Sequence, residues 1–111
     1  MPWVSFGSDE GSYTTAGVFL KSNAHPRAYG NFTRVIGKYS RDEHVLTLEE
    51  AIYKLAKLPA TTLKLQKRGE LKVGNFADVL VFDAAKVNDY STYDKPHQYS
   101  TGMIQVFVNG K

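Results

Sequence analysis

The 111 residues contain no cysteine. That excludes a disulfide framework and any thiolate metal site, and it leads one to expect synthesis in a reducing compartment. No apolar run comes near the roughly 20 residues a helical membrane span needs. No basic segment followed by an apolar one opens the chain, so a cytoplasmic protein without a membrane partner is expected. Charge of one sign is also scarce. Fourteen Lys and Arg against eleven Asp and Glu leave a net charge of +3, and Lys64, Lys67, Arg68 and Lys72 form the densest basic group. Such a balance argues for a solvated surface and against a nucleic-acid partner.

Aromatic residues, by contrast, are plentiful: seven Tyr and six Phe argue against disorder. The length suits one domain with a modest core. Trp3 to Phe6 reads as a short buried strand ended by Gly7. Residues 10–31 read mostly as loop, interrupted by Gly11, Gly17, Pro26 and Gly30, with a short helix or strand over 14–21. Phe32, Val35, Ile36 and Tyr39 share one helical face, so a short helix is expected over 32–40.

The clearest helix signal spans 47–58. Thr47 and Glu50 form a capping box, and Leu48, Ala51, Ile52, Leu55 and Ala56 make an apolar stripe. Pro59 is expected to end that helix and start another over 60–65. From Gly69 the period becomes two. Strands are expected over 69–74, 77–82 and 103–108, with a long polar connection over 84–102. Asn109-Gly110 then signals a hairpin turn. A buried strand with nothing before it to pair with, and a hairpin turn with no return strand, lead to the expectation of a fragment of a larger protein.

Candidate chemistry gathers in the first third. Asp9 closes the first strand, and a loop then delivers His25, Arg27 and Tyr29. A carboxylate at a strand end can serve as a general base, or merely as a turn residue. Arg27 offers a planar fork for a substrate carboxylate, or for a structural ion pair. Tyr29 can line a pocket or fill a core. His25 has no second His at a ligand spacing, so loop shaping is expected of it rather than metal binding. Ser8 and Ser12 have no visible base partner.

Pro59-Ala60, Arg68-Gly69, Gly74, Ala77-Asp78, Phe82-Asp83 and Val108-Asn109-Gly110 resemble the C-terminal region of amidohydrolase-superfamily enzymes. Ser8-Asp9, His25-Pro26-Arg27, Tyr29-Gly30, Phe32, Arg34-Val35 and Pro96-His97-Gln98-Tyr99 resemble the N-acyl-D-amino-acid deacylase family more specifically. The resemblance runs along nearly the whole chain but covers only the last quarter or so of a family member. Ala56 and Lys64 depart from it, standing where Thr and Gly are common.

The resemblance implies an α/β fragment. Residues 1–66 would be the last strand and helices of a (β/α)₈ barrel, and 67–111 the C-terminal strands of a small β-sandwich. It implies a zinc-dependent enzyme that hydrolyses N-acyl-D-amino acids to a carboxylate and a D-amino acid. Asp9 would be its catalytic carboxylate and possible second or weak zinc ligand, Arg27 the clamp on the substrate α-carboxylate, and Tyr29 a further substrate contact. The remaining ligands would lie outside these residues, so the isolated fragment is expected to be inactive and to self-associate through exposed strand edges. Two alternatives stand beside this: an amidohydrolase acting on a cyclic amide or dipeptide, and a self-contained α+β binding module.

Overall fold

The computed structural model describes residues 1–111. Two helical arms pack together, and a two-stranded sheet follows. Helix α1 (Arg27–Arg34) runs without a break into a π-helical segment, Val35–Asp42. It starts five residues before the sequence suggests, because His25 and Pro26 organise its first turn. The Arg27 amide donates to His25 Nδ1 at 3.0 Å, and the Ala28 amide donates to the His25 carbonyl at 3.0 Å. Pro26 lies at the helix entrance, where its missing N–H costs nothing.

The second arm begins at the expected capping box. The Glu50 amide donates to Thr47 Oγ1 at 3.1 Å, and the Thr47 amide donates to Glu50 Oε2 at 2.9 Å. Helix α2 (Leu48–Ile52) leads into a π turn, Tyr53–Lys57, and then helix α3 (Leu58–Thr62). Pro59 was expected to divide two helices, yet the arm passes through it. Proline removes one amide and crowds the carbonyl four residues back. The wider π turn relieves both, since the Leu58 amide reaches five residues back to the Tyr53 carbonyl. The arm ends at Leu63. The Lys64 amide bonds the Thr61 carbonyl and the Leu65 amide the Ala60 carbonyl, with Lys64 at φ 54°. That pattern is a Schellman cap, normally closed by glycine.

Strands stand within both expected stretches: β1 (Val79–Phe82) pairs antiparallel with β2 (Met103–Phe107), with a register shift between Val81 and Phe82. Residues 69–74 form turns rather than the expected strand, and Val73 is fully exposed. Asn109 and Gly110 do form a tight turn. Both have positive φ, 56° and 77°, and Val108 and Lys111 exchange two backbone hydrogen bonds across it.

The core is small: Val35, Ile36, Ala51, Ala60 and Val87 are its buried apolar residues. Val87 comes from the polar connection 84–102, where no apolar pattern marks it. Two arginines tie that connection to the first arm. Arg34 donates to Asp89 at 2.7 Å and to the Ser91 carbonyl at 3.0 Å, and Arg41 donates to the Val87 carbonyl at 2.6 Å. No helix is long and apolar enough to cross a membrane.

Trp3 to Phe6 is corrected outright. Pro2 and Trp3 lie in a turn, residues 4–6 pair with no strand, and Trp3 is 72% exposed. No strand within these residues lies beside them. Their anchors are Lys54, whose Nζ donates to the Met1 and Val4 carbonyls at 2.7 and 2.8 Å, and a 3.4 Å bond from the Phe6 amide to the Lys54 carbonyl.

Candidate active site

The N-terminal segment delivers Asp9 to the entrance of α1. Asp9 adopts a left-handed conformation, φ 50°, which Asp tolerates better than most residues. The turn aims its carboxylate at Arg27. Asp9 Oδ2 lies 3.3 Å from Arg27 Nη2, which also donates to the Asp9 carbonyl at 2.9 Å. The Asp9 side chain is 92% exposed and that of Arg27 40%, so both are open to a ligand. Asp9 and Arg27, eighteen residues apart, are therefore brought together.

Tyr29 joins a different group. Its hydroxyl donates to the Thr14 carbonyl at 3.2 Å. Its ring stands edge-on to His97 and Tyr99, with centroids 5.8 and 6.1 Å away. Burial raises the Tyr29 hydroxyl above the ordinary tyrosine range, reinforced by Tyr99 and Tyr13. Tyr29 thus ties the loop to the 96–99 segment and makes no hydrogen bond to Asp9 or Arg27.

His25 and His97 hold backbone. Because His25 Nδ1 accepts from the Arg27 amide, its neutral ring carries the proton on Nε2, which lies 3.1 Å from the Tyr93 hydroxyl. His97 Nε2 likewise donates to the Phe19 carbonyl at 3.0 Å, fixing the 3₁₀ turn Gly17–Lys21. No group of three or more His, Cys, Asp or Glu side chains converges to hold a metal ion. Asp9 belongs to no such group within these residues.

Sequence reasoning missed Glu10. Its carboxylate accepts from the Gly11 amide at 3.2 Å, the Tyr13 hydroxyl at 3.3 Å and Arg27 Nε at 3.4 Å. The Gly11 amide, then Arg27 and Tyr13, hold it below the usual glutamate range. Its place beside Asp9 was the available signal. The three-residue spacing to Tyr13 does not by itself predict a loop contact.

A second cluster explains the C-terminal motif. Arg68 Nη1 pairs closely with Asp78, and Nη2 donates to Asn109 Oδ1 at 2.7 Å. The Asn109 amide returns a bond to Asp78 at 2.9 Å, and the guanidinium stacks 4.4 Å over Phe76. Arg68, Asp78 and Asn109, spread over 42 positions of sequence, thus meet as one structural knot.

The amidohydrolase family model matches residues 4–111. The N-acyl-D-glutamate deacylase of Alcaligenes xylosoxydans xylosoxydans is 49% identical over 89 residues, covering 80% of this chain and 18% of that protein. The N-acyl-D-aspartate deacylase of the same organism is 38% identical over 110 residues, covering 99% of this chain and 21% of that protein. Among solved structures, the N-acyl-D-glutamate deacylase of Bordetella bronchiseptica, in complex with zinc and a phosphonate mimic of the tetrahedral intermediate, superposes with a TM-score of 0.78. It is 44% identical, over 79% of this chain and 19% of that one. The chain thus spans about a fifth of the length of the relatives it matches. With a family model that spans nearly every residue, the chain belongs to the amidohydrolase family.

Proposed function

We propose that these residues serve as the C-terminal part of a metal-dependent deacylase that hydrolyses N-acyl-D-amino acids. The juxtaposition of Asp9 and Arg27, 3.3 Å apart and both open to ligand, carries this reading. Arg27 grips the substrate α-carboxylate, and Asp9 handles the proton. In that scheme water attacks the amide carbonyl and Asp9 takes its proton. The C–N bond then breaks, and Asp9 returns the proton to the leaving nitrogen. Zinc, when bound, lowers the pKa of a water to about 7. Asp9 is at most one of its ligands, and the others come from outside this chain. Tyr29 acts by shaping the loop wall near the substrate.

Residues 1–66 then belong to a barrel and 67–111 to a composite sandwich. The exposure of Leu80, Ile104, Val106 and Val108, all more than half exposed, supports a sheet face made to be covered. The 111 residues alone should be inactive and prone to self-association through exposed strand edges. Expression in the cytoplasm is part of the same proposal.

The test uses the enzyme-length protein that carries these residues. Asp9→Asn should lower kcat by about 10²- to 10⁴-fold while circular dichroism stays unchanged. Arg27→Ala should raise KM for acyl amino acids with a free α-carboxylate. An Asp9→Asn protein that keeps wild-type kcat would sink the proton-transfer role.

A further inference from the structure

Arg27 is held along one edge only. Glu10 takes Nε and Asp9 takes Nη2, through its carbonyl at 2.9 Å and its carboxylate at 3.3 Å. No hydrogen bond engages Nη1. A guanidinium has five N–H groups in a rigid plane, so fixing one edge also fixes where the remaining donors point. Glu10 is itself secured. Its Oε1 accepts from both the Gly11 amide and the Tyr13 hydroxyl, leaving Oε2 for Arg27, and the side chain is only 19% exposed. The loop 9–13 therefore forms a bracket, with Tyr13 and Gly11 holding Glu10, and Glu10 holding Arg27.

We infer that Glu10 is a positioning residue for recognition of the substrate carboxylate: it clamps the Nε edge of Arg27 and presents the Nη1 end to an incoming anion. This rests on the reading of Arg27 as the carboxylate clamp. An arginine side chain loses several free torsions when it binds, and ordering it beforehand lowers that cost. The opposite effect is also physically available. A glutamate beside the binding arginine repels a second carboxylate and competes for the same donors. The two effects have opposite signs in KM, so the sign decides between them.

The experiment measures kcat and KM in the enzyme-length protein for N-acetyl-D-glutamate and for its α-carboxamide analogue. Variants are Glu10→Ala, Glu10→Gln and Arg27→Ala. Glu10→Gln preserves volume, and so serves even where Glu10→Ala folds poorly. Both Glu10 variants should raise KM for the acid by about tenfold, the loss expected for one charge-assisted contact. They should change kcat less than twofold and leave KM for the carboxamide unaltered. A purely structural role for Glu10 would move both substrates together. An unchanged or lowered KM for the acid in the Glu10 variants, with KM raised in Arg27→Ala, would overturn the positioning role and spare the clamp. An unchanged KM in Arg27→Ala would remove both.

Discussion

The carboxylate of Asp89 occupies the space that a side chain on Gly30 would need. Helix α1 passes so close to residue 89 that only a bare Cα fits. The closeness lets Arg34, one turn further along the same helix, donate from Nε to Asp89 Oδ2 at 2.7 Å, with Nη2 2.6 Å from the same oxygen as an ion pair. Asp89 is only 3% exposed, and its other oxygen accepts from the Ser91 amide at 2.8 Å. This join holds the 84–102 connection against the helix that starts at Arg27.

Gly30→Ala should therefore destabilise the protein by about 3 kcal/mol, since it must displace a buried, paired carboxylate. Urea unfolding followed by circular dichroism measures it. A loss below about 0.5 kcal/mol would mean that the connection shifts freely and that the Asp89 pair matters little.

Lys64→Gly should do the reverse. Lys64 closes the helical arm with φ 54°, a conformation that costs an L-residue roughly 1 kcal/mol and glycine almost nothing. The expected gain is about 1 kcal/mol, read as a rise in urea midpoint with the slope unchanged. The family resemblance had marked this position as one where glycine is common. The backbone gives the physical reason.

Acid should loosen the Arg68 knot. The Asn109 amide, with Arg68, holds Asp78 below its ordinary value of 3.8. Lys57 holds Glu70 below its ordinary 4.5. A depressed folded-state pKa adds stability that is fully present above the unfolded value and is lost as pH falls through the folded one. Stability should thus be level above about pH 5 and fall below about pH 4. Asp78→Asn should be less stable at pH 7 and show a shallower acid slope. An identical slope would assign the acid sensitivity elsewhere.

Truncating the cap at Thr47 should cost about 1 kcal/mol, because Thr47→Ala leaves the Glu50 amide without its acceptor. The change lies far from Asp9 in sequence, so in the enzyme-length protein KM should hold while the melting temperature drops. A shifted KM would show that the second arm helps shape the substrate site.

Local rules carried far along this chain. The capping box at Thr47, strands over 79–82 and 103–107, and the turn at Asn109-Gly110 were legible because each rests on neighbours in sequence. Three features were not legible. The passage of the helical arm through Pro59 depends on a π turn, an adjustment of hydrogen bonding that no apolar period announces. The burial of Val87 and Ser91 depends on Arg34 and Arg41 gripping their backbone from more than 40 residues away. The unpaired state of Trp3 to Phe6 depends on which strands lie alongside, and strand propensity alone cannot supply a partner.

The amino-acid sequence by itself determined the family, the capped helix, the two strands and the residue types available for acyl chemistry. Those follow from local propensity and from motifs, which are properties of the linear order. The tertiary structure alone decided which of those side chains meet. It set Arg27 between Asp9 and Glu10, sent Tyr29 to Thr14 and His97, and joined Arg68 to Asp78 and Asn109. These meetings require the chain to close over separations from 10 positions, for Arg68 and Asp78, to 68, for Tyr29 and His97. Such closure is governed by packing, backbone conformation and long-range hydrogen bonds, none of which is written in spacing.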